Sequence, residues 1–177
     1  MNYKGHVALN AVAFAGMAYV AHRFRVPVYN RLYFTIGYAF STFFLSPDLD
    51  LFYSKASKNW KLLRVIWWPY SKLMKHRGLS HSLLLSTLSK LLYISVVVIL
   101  AYTLFLLGVV YFAQEELILN SAYLLQSLSI FSKSVAELFT KHWPIIRYIL
   151  LGVWLSDIVH IFIGDRITSA LKIILKP

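Results

Sequence analysis

The sequence predicts an all-α fold, an integral membrane helical bundle, and two observations carry that reading. Hydrophobic residues make up 59% of the 177 positions and charged residues only 14%, whereas a soluble domain carries about 25% charged residues. The mean hydropathy is +0.63. Two apolar runs, 83–112 and 144–163, each reach the ~20 residues that a helix needs to cross hydrocarbon. The length suits one domain, taken as 1–177. There is no cysteine, which excludes disulfides and thiolate ligands. The net charge of +11 is what lysines and arginines flanking membrane helices would produce, so no specific nucleic-acid binding is predicted from it.

The elements follow in order. Residues 7–21 form a first helix, flanked by Lys4 and His6 before it and by His22, Arg23 and Arg25 after it. The basic stretch behind it has no small-x-small cleavage pattern, which favours an uncleaved helix over a secretory signal. Pro27 falls in the connection, and a second run, 32–45, ends at Ser46-Pro47-Asp48-Leu49-Asp50. In 58–75, Trp60, Leu63, Ile66, Trp67, Tyr70, Leu73 and Met74 recur at helical spacing, with Lys58, Lys61, Lys72 and Lys75 mostly off that stripe. This predicts a basic amphipathic helix lying in the membrane interface, tryptophans at headgroup level, broken or kinked at Pro69. The span 83–112 places Lys90 at an interface and ends at Glu115 and Glu116. A serine-rich helix, 117–140, then precedes the last span, 144–163, and a short basic helix, 166–176.

His76-Arg77-Gly78-Leu79-Ser80-His81 interrupts this apolar pattern. Gly78 disfavours a helix across the motif. The motif reads as a loop carrying His76, with Ser80 as N-cap and His81 opening the next helix. Such a loop can turn both imidazoles, the commonest metal ligands, to one site; a basic loop at a membrane surface has the same composition.

Counting passages through an up-and-down bundle brings the polar residues to one end. His6 starts the first helix, Asp48 and Asp50 end the second, His81 opens the third, and His160 and Asp165 close the last. Asp48 and Asp50, at i and i+2, face differently, so one is expected to bind directly and the other to orient a ligand or bind water. Asp157 and His160, at i and i+3, share a face, suited to joint ligation or to a carboxylate orienting an imidazole. An acid inside an apolar span is functional by default. His22 and His142 fall at the opposite end. Eleven cations on the site side (Lys4, Lys55, Lys58, Lys61, Arg64, Lys72, Lys75, Arg77, Arg166, Lys172, Lys176) against five on the other (Arg23, Arg25, Arg31, Lys133, Lys141) predict a multi-pass protein of the cell membrane with its site facing the cytoplasm.

The Pro47-Asp48-x-Asp50 segment, Trp67-Trp68-Pro69-Tyr70, His76-Arg77-x-x-Ser80-His81 and the late helix with histidine and aspartate resemble a family of uncharacterised prokaryotic metal-binding membrane proteins. That family is similar to the YdjM-like membrane-bound metal-dependent hydrolases, which in turn resemble zinc-dependent phospholipase C and fungal single-strand nucleases. The resemblance covers residue 6 to about 170, the middle helices matching only in hydropathy. It implies a metal site of His6, Asp48, Asp50, His76, His81, His160 and Asp165. The family's late motif more often puts three residues between its histidine and aspartate; here four separate His160 from Asp165, and Asp157 is the alternative ligand.

With histidine and carboxylate ligands and no sulfur, zinc is the leading metal, ahead of manganese, iron or nickel. One expectation is a metal-dependent hydrolase using a metal-activated water. Asp50 would then be the catalytic carboxylate, and Arg77 the partner of an anionic phosphoester or lipid headgroup. The other expectation is a non-catalytic membrane protein whose metal stabilises the bundle. The bilayer is the expected partner in both.

Overall fold

The computed structural model describes the backbone of residues 3–74, 81–112 and 121–167, and the side chains of these except at 110, 112, 121–124 and 165–167. Among the described residues all regular structure is helical. The order is α1 (Tyr3–Arg23), α2 (Val28–Phe43), a 3-10 turn (Pro47–Asp50), α3 (Lys55–Asn59), a 3-10 turn (Lys61–Ile66), α4 (Trp67–Leu73), α5 (Leu85–Phe112), α6 (Ser121–Ile158) and a π turn (Val159–Ile167). The basic helix expected over 166–176 falls almost wholly outside the described residues.

The sequence reading takes 1–177 as one domain; the chain groups into two compact units, Met1–Leu91 with Ile145–Pro177, and Leu92–Pro144. The second unit is a helical hairpin of the later part of α5 and the earlier part of α6, in which the rings of Tyr102 and Phe131 stack with centroids 4.3 Å apart.

The first unit is built on a close crossing of α2 and α6. A Cβ on Gly37 would lie 2.0 Å from the Ile149 carbonyl oxygen, and one on Gly152 would lie 2.3 Å from that of Phe34. Two glycines, one on each helix, therefore let the backbones touch, as small residues do where membrane helices pack. A turn further along, Thr42 Oγ1 and Ser156 Oγ hydrogen-bond at 2.9 Å, so the two helices run parallel. α1 packs antiparallel to α2: the Tyr38 hydroxyl donates to the Asn10 carbonyl at 3.0 Å and lies 3.2 Å from its side-chain oxygen.

The stretch expected as one interfacial helix over 58–75 is two short helices separated by a 3-10 turn. The break comes at Lys61, whose φ of 52° is left-handed. Pro69 breaks nothing, because it lies in the first turn of α4, where its missing N–H has no intrahelical partner to lose. The tryptophans divide: Trp67 is 1% exposed and packs on Tyr70 and Trp60, whereas Trp68 is 51% exposed. Trp60 packs edge-on against Phe40 and Phe44 and donates its Nε1–H to the Phe44 carbonyl at 2.8 Å. Burial of Trp67 is thus a packing requirement of the first unit.

The separate helices expected over 117–140 and 144–163 are one continuous α6, with Pro144 inside it. Proline deletes a single backbone hydrogen bond and crowds the Thr140 carbonyl, a defect that long apolar helices tolerate. Two stretches, Leu85–Val109 and Leu125–Gly164, are long and apolar enough to cross a bilayer. Of the more apolar part of the former, 6% is buried, against 33% for the latter.

The glycine crossing predicts that Gly37→Ala and Gly152→Ala each lower stability, by about 1–3 kcal/mol for overpacking at a backbone contact. Thermal unfolding of the detergent-purified protein measures this. Gly108→Ala, where a Cβ meets nothing within 4 Å, should leave the midpoint unchanged or raise it.

Candidate metal centre

Four separated segments of the first unit deliver the candidate ligands. His6 lies in the first turns of α1, Asp48 and Asp50 in the turn after α2, His81 just before α5, and His160 at the start of the π turn after α6. The Pro47–Asp50 turn is set locally. Pro47 occupies its first position, and Ser46, its N-cap, accepts the Asp48 N–H at 3.4 Å. The cap is therefore the serine, which frees both carboxylates to reach inward.

Asp48, His81 and His160 offer donor atoms that all lie within 4.8 Å of one another. Asp48 Oδ1 stands 3.6 Å from His160 Nε2 and 3.9 Å from His81 Nε2. His160 Nε2 is buried without a hydrogen-bond partner. Asp50 addresses the other face of the problem: its Oδ2 lies 3.4 Å from His81 Nδ1. A carboxylate on Nδ1 orients the ring and leaves Nε2 as the ligand nitrogen. The His6 ring stacks on that of His160, centroids 3.9 Å apart and 10° from parallel. His6, His81, His160 and Asp50 are all buried.

Burial pushes the Asp48 carboxyl up, but the imidazoles of His160, His6 and His81 outweigh this and hold it down at about 2. Asp48 is thus ionised at neutral pH, the state a ligand requires.

The donors fit a divalent ion. Two ligands of a tetrahedral zinc site, each about 2.0–2.1 Å from the metal, stand about 3.3 Å apart. A protonated imidazole hydrogen-bonded to carboxylate would be closer, at about 2.7–2.9 Å. The 3.6 Å and 3.9 Å separations match the first arrangement better.

Asp157 takes another part than the one expected of it. Its Oδ1 accepts from Ser41 Oγ at 3.0 Å, and its Oδ2 from Ser86 Oγ at 3.1 Å, Thr87 Oγ1 at 2.6 Å and Lys90 Nζ at 2.7 Å. Asp157 is thus engaged by Lys90 and three hydroxyls and stands outside the group formed by Asp48, His81 and His160. The reason lies in Lys90, which is 1% exposed rather than at an interface, and which also donates to the Leu45 carbonyl. The π turn starting at Val159 widens the helix between Asp157 and His160, so the i, i+3 face relation of a regular helix does not carry through.

His76, Arg77 and the side chain of Asp165 lie outside the described residues. His22 and His142 do not join the cluster; His22 Nδ1 lies 3.4 Å from Arg31 Nη1, among exposed atoms. Sequence reasoning missed Ser41, Ser86 and Thr87. Their signal was indirect: a lysine inside one apolar run and an aspartate inside another call for pairing and for donors.

Fold and site together define an α-helical protein with a candidate His/Asp metal site. The chain belongs to the family described as Uncharacterized metal-binding protein (DUF2227), whose model matches residues 3–175. An uncharacterized protein of Aquifex aeolicus (strain VF5) is 51% identical over 69 residues, 39% of this chain and 49% of that relative. The chain thus spans about half the length of the curated relative it matches. No solved structure matches.

The buried pair yields a graded expectation. Lys90→Met leaves Asp157 charged, and Asp157→Asn leaves Lys90 charged, so each should cost about 3–5 kcal/mol. The double variant removes both charges and keeps an acceptor for the hydroxyls, and should recover much of the loss. Unfolding of the three variants in detergent, as a double-mutant cycle, measures the coupling. Additive losses would show that the two charges do not depend on each other.

Proposed function

We propose that this chain is a multi-pass membrane protein that holds a divalent cation on Asp48, His81 and His160, and that the ion ties together the segments that carry them. The observation that carries this reading is the convergence of three donor atoms within 4.8 Å from segments far apart in sequence. The family description, a metal-binding protein, supports it. Asp50 orients His81, and His6 is the nearest further ligand, its stacked ring being compatible with the neutral imidazole that binds metal. His76 and Asp165 complete the proposed set. Zinc suits these donors best, with manganese, iron or nickel as alternatives.

The membrane reading is supported by α5. Beyond Lys90 it is largely apolar, and the protein covers little of that part; such a helix needs another apolar medium. Leu125–Gly164 has 40 residues, about 60 Å of helix, which is twice the ~30 Å of hydrocarbon, so only part of it would be immersed. The excess of cations on the site side supports a cytoplasmic site.

A second reading, a metal-dependent hydrolase of the YdjM-like kind acting on phosphoesters, is favoured by one observation. Among the described residues the cluster has three donors, and Asp48 keeps 22% of its side chain exposed, which would leave a coordination position for water where neither His76 nor Asp165 fills it. A divalent ion there supplies Lewis acidity and lowers the pKa of bound water. In this reading Asp50 holds His81 in its ligating tautomer, and Arg77 meets the phosphate charge.

Metal analysis of the detergent-purified chain tests both. One ion per chain is expected, lost in His81→Ala and His160→Ala, retained in His22→Ala and His142→Ala. Asp50→Asn should bind about 10–100-fold more weakly, as for other carboxylates behind a ligand. Equal metal in all variants, or none in the wild type, sinks the site. Chelation that lowers the unfolding midpoint supports the structural role. Phosphodiester turnover that needs the metal, and that Arg77→Gln removes without loss of metal, would establish the second reading instead.

A further inference from the structure

The far end of the first unit holds a groove of a different kind. Its volume is ≈ 790 Å³, and it runs between α1, α2 and α6, lined by Phe14, Gly16, Phe24, Phe34 and Leu151 among other apolar side chains. That is the size of a small-molecule site. Arg31 and Asn30 are polar groups in its wall. The Arg31 Nε is buried with no hydrogen-bond partner, and its Nη1 points toward His22.

Charge singles out the occupant. Arg23, Arg25 and Arg31 belong to the turn and helix start at this end, and residues 1–47 contain no aspartate or glutamate. The part of α6 facing the groove, around Tyr148, Leu151 and Leu155, brings no acid either. The turn is also held against local preference. Val26 N–H bonds the Ala21 carbonyl at 2.9 Å and Arg25 N–H bonds that of His22 at 3.0 Å, the paired bonds of a Schellman cap. The left-handed position, φ 54°, is filled by Arg25 where glycine is usual. An apolar slot with the half-buried Arg31 in its wall, Arg23 and Arg25 in the adjoining turn and no acid among its lining residues fits an anionic amphiphile.

We propose that this groove binds one acyl chain of an anionic phospholipid, with the lipid phosphate on Arg31. A guanidinium pairs with phosphate through parallel N–H donors, and Arg31 presents one in the groove wall. The groove lies at the end of α1 opposite His6, so the lipid site and the metal centre stand or fall separately.

The test is native mass spectrometry of the full-length, detergent-purified chain titrated with phosphatidylglycerol or with diacylglycerol of identical acyl chains, which lacks the phosphate. Phosphatidylglycerol should be retained about tenfold better, the size expected of one charge-assisted hydrogen-bonding contact. Arg31→Gln should abolish that preference. Gly16→Leu should weaken both lipids, because a Cβ there meets nothing within 4 Å and the added side chain can occupy the slot. Both variants should keep wild-type metal content, which certifies the fold. Equal retention of the two lipids by the wild type overturns the proposal. So does lipid binding untouched by Gly16→Leu, including the case where that variant instead alters self-association.

Discussion

The ion pair between Lys90 and Asp157 is the constraint on which the first unit depends. Two charges withdrawn from water are unfavourable unless each is fully engaged. Here the carboxylate accepts from Ser41 of α2, from Ser86, Thr87 and Lys90 of α5, and itself belongs to α6. The pair therefore has one low-energy arrangement, and it needs all three helices in place. Each helix then delivers a ligand from a position close in sequence: Asp48 beyond Leu45, His81 ahead of Ser86, His160 beyond Asp157. The candidate metal site is the outer layer of a polar core whose inner layer is this pair.

The end of α2 shows how the layers are joined. A helix leaves its last carbonyls without partners. Asn59 Nδ2 donates to the Phe43 carbonyl at 2.8 Å, Trp60 Nε1 to that of Phe44 at 2.8 Å, and Lys90 Nζ to that of Leu45. Three side chains from α3, the residue after it and α5 thus close α2 in successive steps, immediately before the turn that bears Asp48 and Asp50. The same segment locks onto α5, where the Tyr70 and Ser89 hydroxyls bond at 3.1 Å. Trp154 Nε1 holds the Leu83 carbonyl at 3.0 Å, near His81. Ligand placement is overdetermined by hydrogen bonds that contain no ligand.

Much of this could be read in the chain. Hydropathy runs located α1, α2 and α5 closely, because long apolar helices declare themselves by length alone. Passage counting brought His6, Asp48, Asp50, His81 and His160 to one end, because strict alternation of long helices leaves few ways to arrange them. Periodicity failed over 58–75: the stripe of Trp60, Trp67 and Tyr70 marks inward-facing residues, but it is blind to a left-handed Lys61 that turns the chain between them. Pro144 misled in the opposite sense, since a local penalty of one hydrogen bond does not end a helix supported on both sides. Gly37 and Gly152 carried no sequence signal that they would meet. Asp157 was ambiguous because a buried acid needs a cation, and neither its spacing to His160 nor its apolar setting says whether that cation is a metal or a lysine on another helix.

That ambiguity, once resolved, bears on Asp48. The lysine buried in this core is committed to Asp157 and the Leu45 carbonyl, so Asp48 is left to the imidazoles around it. Protons on those imidazoles and a divalent ion would serve the same electrostatic purpose, and they exclude each other, because a ligating nitrogen must be deprotonated. The separations favour the ion. Imidazolium held by charge alone would draw the carboxylate into close hydrogen-bond contact, yet His81 and His160 stand at 3.9 Å and 3.6 Å. Rings already fixed from behind, His81 by Asp50 and His160 by the stacked His6, hold their nitrogens at a distance suited to a shared cation rather than to each other. Contacts that involve no ion thus orient the donors, and a site held in this way would bind a cation at a smaller ordering cost.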